Sequence, residues 1–356
     1  MNSSRLSKPK TRRPTMTDVA KAAGVSQSTV SMVLNNATGA RLSADTRARV
    51  LQEAMALGYR LPHRDPSVIA VQAKQQAVIG YLVDEISTSP HPVVSLDGAR
   101  DAAWEQGYVL QVAVTRNNAE QENATITALL SQPGLLGVVY STIFTRQVEV
   151  PEALLTRPLV LLNCHDDQRR LPAVLPSEVA GGHAATEHLI AQGHTRIAFI
   201  NGEPWMEAAQ DRLKGYRRAL ATADLPFEPQ LVREGDWMSG SGYEHTLALM
   251  ALPRPPSAIF CANDLMALGA LEALKHLGLR VPAQVSVIGY DDQEISRHTH
   301  PPLTTLVLPN EEMGRTAVEL LLSLAAGERP PRAVTKIGGP VVVRESVGPR
   351  ADETRA

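Results

Sequence analysis

TMTDVAKAAGVSQSTVSMVLN, residues 15–35, carries the signals of two short helices separated by a tight turn. Thr15 caps the first helix, and Asp18, three residues on, reaches back in a capping box. Val19, Ala20 and Ala23 form its small apolar face. Gly24 stands where the chain turns sharply, and Ser26 is the natural cap of the second helix. Val30, Val33 and Leu34 fall three and four apart and face inward. Gln27, Ser28, Ser31 and Met32 are left on or near the outer surface. Two helices crossing at such a turn make a helix-turn-helix, whose exposed second helix fits a DNA major groove. The same spacing also fits a small helical bundle with no nucleic-acid role.

Outward from this stretch, residues 1–14 read as a basic, disordered tail, and NNATGAR (35–41) as a turn-rich loop. Ser43 then caps a third helix running to about Leu57, with Val50, Leu51, Ala54 and Leu57 on one face. Gly58 stops it, and Tyr59 packs back. Arg47 and Arg49 on its polar side are phosphate candidates; such contacts position a head without choosing a sequence. Residues 1–64 carry a net charge of +8, although the whole chain carries -2. A basic end on an acidic body suits a polyanion bound at one end only.

From Ala77 the period changes. VIGYLV, YVLQVAVTR, GLLGVVYST and PLVLLNC are strands, alternating with helices from Asp97 to Gly107, at NAEQENATITALLSQ and around Pro151. A second set begins near Glu178, with strands RIAFINGE, SAIFCAND and SVIGYDD, the segment PQLVREGDW and four helices. PPLTTLVLP crosses back, and EEMGRTAVELLLSLAAG is a helix expected on the first set. Repeated strand–helix units argue parallel, doubly wound sheets, and apolar strands such as LLGVV expect helices on both faces. The expected class is therefore α plus α/β: a three-helix headpiece with a helix-turn-helix, then two doubly wound parallel-sheet lobes.

Several function classes are disfavoured. No run of 18 apolar residues suggests a membrane span, and the polar N-terminus lacks the apolar core of a signal peptide. Cys164 and Cys261 are too few for a disulfide scaffold or zinc site and read as buried thiols in a reducing cytoplasm. GxGxxG, Walker and GxSxG motifs are absent, as is any His/Cys cluster with metal spacing. Asp291 and Asp292 are adjacent at a strand end and so point to opposite sides, which argues against a shared catalytic or metal role. No catalytic residue, cofactor, metal or membrane partner is expected.

DVAKAAGVSQSTVSMVLN closely resembles the headpiece of LacI/GalR-type transcription regulators, and the match continues through LSADTRARVLQEAMALGY. The phrases AFINGE, RLKGYRRAL, CANDLMALGALEAL, VSVIGYDD and PPLTT resemble the same family's periplasmic-binding-protein-like body. The resemblance implies a headpiece at 15–61, a hinge at 62–76, and a first lobe of 77–177 with 308–335. It implies a second lobe of 178–307 with 336–347, then a polar tail at 348–356. It implies a homodimeric, cytoplasmic, nucleoid-associated repressor that binds pseudopalindromic operator DNA. Gln27 and Ser28 match the family's main base-reading positions, and Met32 stands where many relatives carry a guanine-reading arginine. Thr15, Ser26, Ser31, Asn35, Arg47, Arg49 and Tyr59 complete the expected DNA face. The hinge, RLPHRDPSVIAVQAK, departs from the family pattern; a short helix over 66–73 would present Ile69 as the minor-groove wedge.

Ligands of parallel sheets lie beyond the C-terminal strand ends. Asp84, Asn163, Asn263, Asp264 and Asp291 all stand at such ends. By resemblance, Arg212 and Asp291 hold sugar hydroxyls, Asn263 occupies a family asparagine position, and Trp237 stacks on a sugar ring. Asn163 stands where one relative type has aspartate. Trp205 is a further stacking candidate, and Trp104 reads as a helix-packing residue. An arginine fork, carboxylates and a flat aromatic suit a neutral sugar or glycoside. A purine-responsive regulator, and a sugar sensor with a degenerate head, are the alternatives.

Overall fold

The computed structural model describes residues 15–34, 43–57, 59, 77–328, 330 and 332–350. Expectations for the basic tail, Asn35, the hinge with Ile69, and residues 351–356 lie outside the described residues. The chain divides into two compact units between Lys74 and Gln75.

In the first unit, α1 (Met16–Ala23), α2 (Gln27–Leu34) and α3 (Ala44–Ala56) enclose a small core. Val19, Ala20, Ala23, Val30, Val33, Val50 and Ala54 fill it, with Met16, Val25 and Tyr59 packed at its edge. The capping box is present, with the Asp18 amide donating to Thr15 Oγ1 and the Thr15 amide donating to Asp18 Oδ2. Gly24 ends α1 at φ +63°, in the left-handed region that favours glycine. The expected face of α3 is narrower than the sequence suggests. Leu51 and Leu57 are each 40% exposed, because two short partner helices cover only Val50 and Ala54.

The second unit contains two six-stranded sheets. The first joins β1 (Val78–Val83), β2 (Val109–Val114), β3 (Leu135–Gln147), β4 (Leu159–His165), β5 (Ala173–Pro176) and β11 (Val334–Ile337). Its order is β11-β5-β4-β3-β1-β2, all parallel. One face packs on α4 (His91–Glu105) and α10 (Asn310–Ala325) through Ala99, Ala102, Ala103, Met313, Ala317 and Leu321. The other receives Ile126 and Leu129 of α5 (Ala119–Leu130).

The second sheet joins β6 (Ile197–Asn201), β7 (Val232–Glu234), β8 (Ala258–Cys261), β9 (Ser286–Asp291), β10 (Thr304–Val307) and β12 (Val341–Val342). Its order is β12-β10-β9-β8-β6-β7, parallel except for the antiparallel edge strand β12. Helices α6 (Glu178–Ala191), α7 (Glu207–Thr222), α8 (Ser239–Met250) and α9 (Asp264–His276) belong to this lobe. Both lobes change strand direction of travel at their centres, β1 to β3 and β6 to β8, which are the switch points where crevices open.

Two boundaries and one side chain differ from expectation. α4 begins at His91 rather than Asp97, because Pro92 is tolerated in a helix's first turn. A division at 335/336 would cut β11, all four residues of which pair with β5, so the chain leaves the first sheet after Ile337. Trp104 does not pack between helices; it is 48% exposed on α4. Both cysteines are buried free thiols, and burial pushes the Cys164 thiol up to about 12. Among the described residues no helix is long and apolar enough to cross a membrane.

Candidate nucleic-acid interface and ligand cleft

The start of α2 is the open face of the head. Gln27 and Ser28 are exposed, while Ser31 and Met32 are half-buried outside the core. Ser26 Oγ accepts from the Thr29 amide at 3.1 Å and lies 2.7 Å from Ser28 Oγ, so it fixes the helix start. Thr15 is likewise committed to its cap, and Tyr59 to the core edge. Arg49 has a structural bond that the phosphate expectation did not include. Its Nε donates to the Ala23 carbonyl at 2.9 Å, tying α3 to the last turn of α1.

In the body, Asp84, Asn163, Asn263 and Asp291 stand at or just beyond strand ends, yet most are already engaged. Asp84 accepts from the Ile143 amide at 2.8 Å and from Arg146 at 3.0 Å. Burial nevertheless holds its carboxyl above the usual range. Asn163, at φ +59°, accepts from Thr145 Oγ1 at 2.6 Å and donates to the Thr142 carbonyl at 3.1 Å. These bonds hold the irregular end of β3, where the register with β4 shifts between Ser141 and Arg146.

In the second lobe Asn263 caps α9 through the Met266 amide and donates to the Trp237 carbonyl, each at 2.8 Å. Asp264 is not a ligand group. It is fully buried, accepting from Thr305 Oγ1 at 2.6 Å and from the Gln293 amide at 2.8 Å. Burial first, and then the neighbouring Asp291, hold its carboxyl well above the ordinary range. Asp292 turns away to Arg344 and Arg297, so the two adjacent aspartates do diverge.

Arg212 is the centre of the lobe's cleft side. Its Nε and one terminal nitrogen donate to the two oxygens of Glu178, both at 2.8 Å. The other terminal nitrogen donates to the Ala262 carbonyl and stands 3.8 Å from Asp291 Oδ1. The guanidinium lies 3.6 Å from the Tyr290 ring centre and 5.6 Å from that of Trp237. Burial opposes its charge, but Glu178 more than restores it, so the guanidinium stays ionised. Trp237 is seated against Gly202, where any Cβ would stand 1.9 Å from the indole. Its Nε1, and Asn201 Oδ1, are buried without a hydrogen-bond partner among the described residues.

The lobes meet through Trp205, a stacking candidate from the sequence, and through residues that the sequence did not single out. Trp205, 62% exposed, sets an edge-to-face contact with Phe144 at 5.5 Å. His165 Nε2 lies 2.8 Å from Glu207 Oε1, with Arg169 3.5 Å from the other oxygen. Glu178 carries no distinctive signal, since an acid in a helix's first turn ordinarily complements the dipole.

A helix-turn-helix head and a two-lobe body with polar strand ends facing a cleft define a DNA-binding transcription regulator with an effector-binding domain. Residues 15–61 match the bacterial regulatory proteins of the lacI family, and residues 186–347 a periplasmic binding protein-like domain. The chain is 34% identical over 340 residues to the HTH-type transcriptional repressor PurR of Aliivibrio fischeri (strain MJ11), covering 94% of this chain and 98% of that protein. Among solved structures it is similar to a transcriptional regulator CelR–cellobiose complex, with TM-score 0.64, 31% identity, and 94% and 100% of the two chains covered. A lac repressor dimer bound to operator and the anti-inducer ONPF is similar at TM-score 0.64 and 30% identity, covering 95% and 100%. The chain belongs to the lacI family of bacterial regulatory proteins.

Proposed function

We propose that this protein is a cytoplasmic, homodimeric repressor that releases or holds a pseudopalindromic operator according to a neutral, sugar-like effector bound between its lobes. A single small head buries too little surface for useful specificity, and two heads on a two-fold site double it. The ligand class rests on one observation: the arginines between the lobes are already paired, Arg212 with Glu178, Arg146 with Asp84 and Arg169 with Glu207. None of these guanidinium groups is a spare cation for a phosphate. What remains is suited to hydroxyls: the acceptor Asp291, the flat Trp237, and the unpaired Trp237 Nε1 and Asn201 Oδ1. The sugar in the CelR complex supports the same class. The role is binding rather than catalysis, since Asp291 and Asp292 engage separate partners.

A second reading has its own support. Phe144 and Trp205 meet across the lobes, offering aromatic surface for a planar base. Calorimetry and thermal shift with neutral sugars, polyols, sugar phosphates and nucleobases decide between the two. A neutral sugar that raises the melting temperature, changes operator affinity and is not turned over supports the proposal. A response confined to nucleobases or phosphates overturns it.

A further inference from the structure

We propose that Glu178 is the residue that sets which effector charge the cleft accepts: by neutralising Arg212 it admits neutral ligands and excludes carboxylates and phosphates. This rests on the sugar reading above and names the selectivity of that same site.

The geometry is specific. Glu178 opens α6 and Arg212 lies on α7, and both are nearly fully buried, at 5% and 3% exposure. The two helices place carboxylate and guanidinium in a parallel two-bond fork, the strongest arrangement available to such a pair. That fork is the part of an arginine that would otherwise grip an anionic ligand. The Tyr290 ring packs against the same guanidinium, its centre 3.6 Å away, and holds the fork in place. The edge of Arg212 left over turns to Asp291 at the end of β9, where the backbone takes φ +110°.

Stability alone is a weak reason for this arrangement, because a buried ion pair is commonly replaceable by apolar residues without loss. Its consequence for a ligand is larger. Glu178, Asp84 and Asp291 oppose Arg212 and Arg146 at the cleft floor, leaving one formal negative charge in excess. That excess repels an anion and leaves hydroxyls unaffected. Removing the Glu178 charge frees the Arg212 fork and brings the same set to neutrality.

The test uses the full-length protein with three matched probe pairs: glucose and glucuronate, galactose and galacturonate, cellobiose and cellobionate. Calorimetry on the wild type gives at least tenfold weaker binding of the acid in whichever pair binds, and rising ionic strength narrows that ratio. In Glu178→Gln the ratio moves toward the acid by at least tenfold, and the acid raises the variant's melting temperature more than the neutral sugar does. Glu178→Asp, which keeps the charge, retains the wild-type order; it and the salt series decide the matter if Glu178→Gln fails to fold. Neutral binding with the same preference in wild type and Glu178→Gln, or a wild-type ratio indifferent to salt, overturns the role of Glu178 alone. Failure of every neutral probe to bind the wild type overturns the sugar reading, and the proposal with it.

Discussion

His91 Nε2, on α4 of the first lobe, lies 3.4 Å from Asp291 Oδ2, at the end of β9 in the second. Asn310 Nδ2 lies 3.1 Å from His91 Nδ1 and orients the ring, so that Nε2 faces the carboxylate. The contact spans the gap in which the effector is proposed to sit. His91→Ala is expected to open the lobes and weaken effector binding by roughly 2- to 10-fold, the loss of one polar contact between them. Unchanged solution scattering together with an unchanged calorimetric Kd would sink this.

Phe144 and Trp205 make the apolar counterpart of that contact. Edge-to-face pairs contribute about 0.5–1.5 kcal/mol beyond their buried area. A double-mutant cycle with Phe144→Leu and Trp205→Leu, read by urea unfolding, should return a coupling in that range. Additivity within about 0.3 kcal/mol would show the rings to be independent.

Arg47 and Arg49 are expected to separate cleanly although they lie on one helix. Arg49→Ala removes the bond to the Ala23 carbonyl and should loosen the head by about 0.5–1.5 kcal/mol, seen by hydrogen exchange in the full-length protein. Arg47→Ala should instead weaken all DNA sequences alike and lower the salt slope by roughly one. The reverse assignment of the two effects would refute this division.

The exposed start of α2 implies a reading pattern. Gln27 can pair with adenine through two hydrogen bonds, whereas Met32 has no donor and offers only apolar contact, as to a thymine methyl. Gln27→Ala should relax preference at one symmetric pair of operator positions, and Met32→Arg should create a guanine preference at another. Each good contact is worth about 1–3 kcal/mol of discrimination. Selection from a randomised operator library that returned one consensus for wild type and Met32→Arg would remove Met32 from the base-facing surface.

Asp264 gives the body a pH dependence of definite sign. Its folded carboxyl is held well above the unfolded value of about 3.9, chiefly by burial. The folded state therefore binds that proton more tightly. The resulting stability is complete below the unfolded value and is lost as pH rises through the raised folded one. Asp264→Asn cannot ionise, so the stability of the variant relative to wild type should climb with pH across that window. Urea unfolding at successive pH values giving a constant or falling difference would contradict the assignment.

What could be read in advance was what is local. Thr15, Asp18, Ser26 and Ser43 lie within three residues of the amides they cap, so the head's helices declare themselves in sequence. The strand–helix rhythm of the body is equally local. β5, β11 and β12 escaped notice because they have four, four and two residues and exist only through pairing with distant strands. The candidate site divides the same way. Strand-end positions were legible, but Glu178 is 34 residues from the arginine it neutralises, and His91 meets its partner only when two lobes fold together. Asp264 misled because a carboxylate at a strand end looks the same in sequence whether it faces a gap or a threonine beneath it.

The return of α10 and β11 to the first sheet also has a consequence during synthesis. β5 ends at Pro176, yet the strand that covers its edge is complete only at Ile337, about 160 residues later. At ribosomal rates of about 5–20 residues per second, that is roughly 8–30 seconds. Throughout that interval the emerging chain carries an unpaired parallel strand and an α4 face still waiting for α10. An open edge of this kind is a template for the wrong neighbour. The first lobe to leave the ribosome thus stays open until nearly the whole chain has been made, and the newly made protein needs shelter there.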